Sequence, residues 1–392
     1  MPCSDPIFVH PLLGADDAWS GFRIEFAPGR ASLEALSRLR ASPQFEAIDK
    51  RMLWFIPALP EASEAAQTME RSVTVFSARS GDQDGEALER LEAALRQAQH
   101  KVALVVTPES KLPATGTWDY LLIGASHARS LPPYTLLGMA SRTTVIATDV
   151  HTHVDRQWAL SNACTLSSGE FLLTRPTGNP KPDITRMKLL KLLGLICEDA
   201  DTGALEAIFR EEPKLSYSLL RLVNSAAIAP PSPITSFAQA INLLGRRQLQ
   251  RWLQLLVYSD PNNGQHPNPL LQKAAARGRL LELLADKLPQ SEPPESDSEI
   301  AFMVGTFSLL DVLLCMPMPE ILHQLPLPEV AAKALLAHEG SLGQLLGAID
   351  AVDKHDLSTA TFRLKTLGID GGDYLDAQLE ALNWAGKIRP TA

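Results

Sequence analysis

Four short apolar runs, with a helical stretch between the first two, restrict the N-terminal part of this chain more than any other feature. Val73-Thr-Val-Phe76, Val102-Ala-Leu-Val-Val106, Tyr120-Leu-Leu-Ile123 and Thr144-Val-Ile-Ala147 each read as a buried strand. Between the first two lies Gly85–His100, where Leu88, Leu91 and Leu95 recur at helical spacing. Strand, helix, strand in that order calls for a parallel sheet with crossover helices. Unbroken apolar strands fit it, because parallel sheets are covered on both faces. The pattern stops near residue 180. Thr177-Gly-Asn-Pro-Lys-Pro182 continues neither helix nor sheet and reads as a joint.

Beyond the joint the pattern is helical. Ser236-Phe-Ala-Gln239 is a capping box that opens a short helix expected to stop at Gly245. The next helix, Gly245–Tyr258, puts Leu249, Trp252, Leu253, Leu256 and Val257 on one stripe, and Pro269 to Leu288 repeats the periodicity. Gln290–Ser296 reads as a polar loop. Ser296-Asp-Ser-Glu299 then caps a strongly apolar helix expected from Ile300 to about Leu314, the central one of the set. Pro317 and Pro319 end it, and Pro328, Gly340, Gly368 and Gly371 punctuate further helices. The expected fold is therefore α/β followed by all-α, with domains at 1–178 and 183–392.

Composition narrows the function classes. At 392 residues the chain has room for two or three domains. Lys plus Arg number 36 and Asp plus Glu 45, a net charge of −9, which argues against a nucleic-acid or anionic-membrane binder. Cys3, Cys164, Cys197 and Cys315 stand far apart without metal-ligand spacing, so a reducing cytosol and packing roles are expected. The start, MPCSDPIFVH, has no basic n-region, and no run approaches the ~20 apolar residues of a membrane span. The expected location is cytoplasmic.

Residues 208–252 carry a denser pattern. Glu212-Pro-Lys-Leu-Ser216, Leu219-Leu-Arg-Leu-Val-Asn-Ser225, Pro233-Ile-Thr-Ser236 and Gln239-Ala-Ile-Asn-Leu-Leu-Gly245, closing at Trp252, resemble an HDOD domain. The family usually opens with Asp-Pro where this chain has Glu212-Pro213. The resemblance implies an all-helical core at about 190–316 with a helical extension after it. It also implies a bacterial signalling role without the metal-binding His–Asp pair of the related HD phosphohydrolases. In the matching stretch Gly305-Thr-Phe-Ser-Leu309, Ser308 and Leu309 stand where that pair would be, and neither offers imidazole or carboxylate to a metal. The literal doublet His355-Asp356 lies far along, in a polar loop, and reads as coincidence.

The first 178 residues resemble a degenerate EAL domain, the TIM-barrel phosphodiesterase fold for cyclic di-GMP. In the strand Val102–Thr107, Val105 and Val106 replace two metal-binding aspartates. In Trp118-Asp-Tyr-Leu-Leu-Ile-Gly124, Leu122 replaces a lysine and Gly124 the final aspartate. In Val145–His151, Thr148 and His151 stand at glutamate positions, and Ser168–Pro176 is similar to the closing Gln-Gly-Tyr segment. For the opening Glu-Ala-Leu the nearest segment is Phe22-Arg-Ile-Glu-Phe26, where Glu25 fits only with a slipped register. Hydrolysis in that family needs clustered carboxylates to hold Mg²⁺ or Mn²⁺ and activate water. Two valines in place of the aspartates imply that catalysis is lost. The stretch is also short against the ~250 residues of a typical barrel, so shortened or missing helices are expected.

Other features are weaker. His151-Thr-His-Val-Asp155 could present two imidazoles at a strand end, or be a polar loop that leads into a helix at Asp155. Arg247 and Arg251 share a helix face with Arg246 close by, and could meet phosphate or an acidic partner, or be solvated. Asn224 and Ser225 fit a cap or a contact site. No GxSxG, P-loop, GxGxxG or HExxH occurs. The expectation is a non-catalytic signalling protein in motility, biofilm or stress regulation. It would bind protein partners, its own copy among the candidates, without metal, cofactor, nucleic acid or membrane. A non-hydrolysing cyclic di-GMP receptor is the alternative reading, and an active metal-dependent phosphodiesterase a third.

Overall fold

The structure, a computed structural model, describes residues 4–29, 31–77, 83–176, 194–195, 219–220, 223–224, 232–258, 268–288 and 297–388. Contacts divide the chain into two units, Met1–Thr174 with Asp353–Ser358, and Arg175–Val352 with Thr359–Ala392. The joint at Thr177–Pro182 and the loop at Gln290–Ser296 lie outside the described residues.

In the first unit eight strands close a barrel in chain order: β1 (Ile7–Gly14), β2 (Trp19–Phe26), β3 (Leu53–Pro57), β4 (Ser72–Phe76), β5 (Val102–Val106), β6 (Tyr120–Gly124), β7 (Thr144–Thr148) and β8 (Cys164–Ser167). From β2 to β8 all neighbours run parallel, as the apolar runs require. The expectation of a parallel sheet fails at β1, which is antiparallel to both β2 and β8. Only residues 15–18 separate β1 from β2. A parallel crossover needs a dozen residues or more, so a hairpin is the one connection that reaches.

The barrel closes within its short length because its crossovers shrink. Between β2 and β3 lie α1 (Leu33–Ala41) and α2 (Pro43–Ala47), and between β3 and β4 only the four-residue α3 (Glu64–Gln67). The crossover α4 (Gln83–Gln97) joins β4 to β5, which passes to β6 without a helix. Then come α5 (Ala125–Ser130) and α6 (Thr135–Ala140), α7 (His153–Ser161) after β7, and a 3₁₀ turn, Glu170–Leu173, after β8.

Leu12, Phe55, Val73, Val75, Ala103, Tyr120, Leu122 and Ile146 fill the barrel's interior. Alternate residues of the same strands, Phe76 and Val102, pack outward beneath Leu91 and Leu95 of α4. On the outer face of β3, Trp54 is fully buried between Phe22 and Phe45, with ring centroids at 4.8 and 4.6 Å.

Past the barrel the described chain is helical: α8 (Phe237–Leu256), α9 (Pro269–Ala285), α10 (Ser298–Phe307), α11 (Leu310–Leu314), α12 (Met318–Leu322), α13 (Glu329–Ala337), α14 (Gly340–Asp353), α15 (Leu357–Thr366) and α16 (Gly371–Gly386). Ser236 caps α8, and the return hydrogen bond of Gln239 goes to the residue before the cap. Ser236 Oγ accepts from Gln239 N at 3.2 Å, and Gln239 Oε1 accepts from Thr235 N at 2.9 Å.

Two boundaries differ from expectation. Helix α8 runs straight through Gly245 instead of stopping there. A mid-helix glycine costs only about 1 kcal/mol, which the good helix formers after it offset. The helix expected from Ile300 to Leu314 is broken after Phe307. There Ser308 Oγ folds back to donate to Gly305 O at 2.7 Å, and Leu309 takes non-helical dihedrals (φ −113°, ψ 12°).

Helix α10 packs very closely on α9. A Cβ on Gly305 would stand 2.5 Å from Arg277 O, so only glycine allows this crossing. Tyr258 OH donates to Thr306 O at 2.6 Å, and Trp384 of α16 meets Trp252 at 5.5 Å and Phe302 at 6.0 Å. Among the described residues no helix is long and apolar enough to cross a membrane.

Candidate functional site

The ends of β2–β8 where each strand terminates form the face on which barrel enzymes carry their chemistry. Since β1 runs the other way, its N-terminal half lies at that mouth, where His10 pairs in register with Arg23 and Phe8 with Glu25. Leu12 points into the barrel, so strand alternation puts His10 on the same inner face, two residues nearer the mouth.

Five side chains converge there. Glu25 Oε1 accepts from Arg23 Nη2 at 2.9 Å, while Glu25 Oε2 lies 2.9 Å from His355 Nδ1 and 3.4 Å from His10 Nε2. His355 Nε2 lies 2.9 Å from Glu170 Oε1. Glu170 Oε2 accepts from Val150 N at 3.1 Å and also from the Ser168 hydroxyl. The His10 and His355 rings stack at 4.5 Å with 25° between their planes. His355 is held at φ +58°, a region that non-glycine residues rarely adopt.

Each nitrogen of His355 faces a carboxylate, so both donate and the ring is an imidazolium. Burial works against that charge. The hydrogen bonds to Glu170 and Glu25 outweigh it and push the imidazole up to about 10. Burial would likewise raise the two carboxyls. Instead the His10 and His355 contacts and the Arg23 charge hold Glu25 far below the usual range, and His355 and Ser168 lower Glu170. Two anions are thus matched by two cations of the same unit.

Glu25 itself lines a cavity of about 200 Å³, whose wall also includes Arg23, Phe55, Pro57, Val75 and Val105. Val105 faces this space, whereas Val106 is buried on the opposite face of the strand with Val102. Leu122 is buried in the barrel's core, and Gly124 ends β6, where an added Cβ would stand 3.0 Å from Asp149 Oδ2.

The two histidines after β7 do not converge. His151 is exposed, while His153 begins α7 with Nε2 3.3 Å from Thr174 O and its ring edge-on to Phe171. Thr152 caps α7 by accepting from Asp155 N at 3.0 Å.

In the helical unit, Ser308 Oγ accepts from Arg277 Nη1 at 2.9 Å, and the same guanidinium pairs with Asp350 at 2.8 Å. Leu309 is buried. Asn224 donates to Leu220 O and Ile234 O and accepts from Ile234 N, tying a helix end to the segment before α8. Arg251 pairs with Glu282 and lies 4.6 Å over the Phe302 ring. Ser225 and the side chains of Arg246 and Arg247 lie outside the described residues.

The sequence pointed to none of this cluster as a unit. In the sequence Glu25 fits a family position only with a slipped register, and the His355-Asp356 doublet reads as coincidence. His355 is 330 residues from Glu25 and 185 from Glu170, so no local spacing could join them. A weak signal was available: Arg23 and Glu25 alternate as charged residues within an otherwise strand-like run.

Comparison with known proteins bears on the second half of the chain first. Residues 180–333 match the HDOD domain. The chain is 31% identical over 178 residues to the uncharacterized protein YuxH of Bacillus subtilis, covering 44% of this chain and 41% of YuxH. It is 28% identical over 261 residues to the cyclic di-GMP phosphodiesterase CdgJ of Vibrio cholerae, covering 64% of this chain and 58% of CdgJ. The chain thus spans about half the length of these relatives. Among solved structures, the Bacillus subtilis YkuI protein, with an EAL domain, in complex with c-di-GMP and calcium, matches at 14% identity and a TM-score of 0.30. That match covers 56% of this chain and 68% of YkuI.

Proposed function

We propose that this chain is a cyclic di-GMP signalling protein that acts by recognition and does not hydrolyse the dinucleotide. The link to cyclic di-GMP comes from the HDOD match and the similarity to CdgJ. The observation that carries the non-catalytic reading is the inner wall of the barrel mouth. At the end of β5 it presents the methyl groups of Val105 beside Phe55, Pro57, Ala58 and Val75, where a hydrolytic cation needs oxygen ligands. Glu25, the carboxylate in that wall, is engaged by Arg23 and His355, and Glu170 is engaged by His355. In the HDOD-like stretch, Arg277 donates to Ser308, which by the resemblance stands where the related hydrolases carry the histidine of their metal-binding pair.

Function then rests on surfaces that bind protein partners, in a cytoplasmic pathway such as motility, biofilm or stress control. Affinity capture from the source cells with the intact chain, beside each half cut near Pro180, tests it. Partners retained by the helical half alone support recognition there, and capture of none by either the intact chain or the halves counts against it.

Arg23 on the cavity wall favours one second reading, a receptor that holds cyclic di-GMP without cleaving it. The cavity's ~200 Å³ falls short of the ~300–1,000 Å³ of typical ligand pockets, which favours recognition. Calorimetry with cyclic di-GMP separates the two: saturable micromolar heat supports the receptor, and no heat supports the scaffold.

A further inference from the structure

His10 Nε2 is buried without a hydrogen-bond partner at normal distance, its nearest carboxylate oxygen being Glu25 Oε2 at 3.4 Å. An orphaned imidazole nitrogen beside a carboxylate and a second imidazole needs an explanation. One imidazole nitrogen each of His10 and His355 and one Glu25 oxygen all lie within 4.8 Å of one another. Two donors on one tetrahedral zinc sit about 3.4 Å apart, given bonds of about 2.1 Å. Of the observed approaches to Glu25 Oε2, that of His10 at 3.4 Å matches this spacing and that of His355 at 2.9 Å is shorter.

The surroundings also suit ligands. Zinc-bound imidazoles usually donate their other N–H to a carboxylate. His355 does so, with Nε2 2.9 Å from Glu170 Oε1 and Glu170 itself fixed by Val150 N and Ser168. Arg23 holds the far oxygen of Glu25, leaving Oε2 as a single donor.

We propose that His10 Nε2, Glu25 Oε2 and His355 Nδ1 form a zinc site, with Glu170 orienting His355. Two imidazoles and a carboxylate suit Zn²⁺ better than Mg²⁺ or Ca²⁺, which take oxygen ligands. On binding, the ion replaces the proton that His355 Nδ1 donates to Glu25, and that proton leaves to solvent. The consequence is structural: zinc fastens the segment Asp353–Ser358 to the strands β1 and β2 of its own unit.

The test is calorimetric titration of chelator-treated full-length protein with ZnCl₂. One ion per chain is expected, with affinity reduced at least tenfold by His10→Gln or His355→Gln. Glu170→Gln, which removes no ligand, should weaken binding by about 10- to 100-fold. Circular dichroism checks that each variant is folded. X-ray absorption on the unmutated zinc-loaded protein supplies a reading that no variant can confound, and two imidazole nitrogens in the coordination shell are expected. Absence of stoichiometric zinc uptake, equal affinity in all variants, or an all-oxygen shell would each overturn the site.

Discussion

Replacing His355 by glutamine in chelator-treated protein is the most informative perturbation of the barrel mouth. It leaves Glu25 and Glu170, whose side chains are 15% and 8% exposed, without the cation between them. Breaking a buried ion pair by removing one partner costs about 3–5 kcal/mol. His355 is 25% exposed, so solvent screening reduces this to about 2–3 kcal/mol. The loss falls on the segment Asp353–Ser358, which carries the exposed Lys354, a site for trypsin. When opening is fast, cleavage tracks the open population, and 2–3 kcal/mol multiplies that population by about 30–150. Limited trypsin digestion, with the fragment ending at Lys354 quantified by mass spectrometry, reads this directly. Cleavage at Lys354 within threefold of the unmutated chain would refute the idea that His355 holds the segment through its carboxylates.

Further outcomes follow from other contacts. Gly305→Ala forces a Cβ to within 2.5 Å of Arg277 O, so overpacking of about 1–3 kcal/mol should lower the melting temperature by about 3–10 °C in calorimetry. An unchanged transition would contradict the close helix crossing. Burial pushes the Cys164 thiol up to about 11, so iodoacetamide mapping at pH 8 should leave it unlabelled in the native protein and labelled in urea. Rapid native labelling would count against its burial. His100 is half-buried with Nε2 3.1 Å from Thr74 Oγ1, and burial lowers its imidazole below 6.5. The unfolded chain therefore binds this proton first, and the stability tied to His100 declines as pH falls through 6.5. A nuclear magnetic resonance titration should place its midpoint below 6.5, and a midpoint at or above that value would reverse the sign.

The strands β4 to β7 were legible because each is buried on both faces, so its apolar run is unbroken. The hairpin of β1 and β2 was not. Pro11 and Gly21 interrupt the strand signal, and His10, Arg23 and Glu25 point into the barrel mouth where apolar residues are the rule. Composition thus hid the strands that carry the site. In the helical half, Gly245 taken alone signals a stop, yet the good helix formers that follow it carry α8 through. Ser308 had the opposite effect: its hydroxyl satisfied Gly305 O and let a hydrophobic helix end early. His355 stayed hidden because its partners are set by the tertiary fold, far away in sequence.

The central claim is that this barrel, with Val105 facing the cavity at the end of β5, does not hydrolyse cyclic di-GMP. Incubating the purified full-length chain with the dinucleotide and Mg²⁺ or Mn²⁺, and resolving products by chromatography, tests it most directly. The account predicts no linear dinucleotide above a protein-free control. Turnover that needs the metal and scales with protein concentration would contradict it.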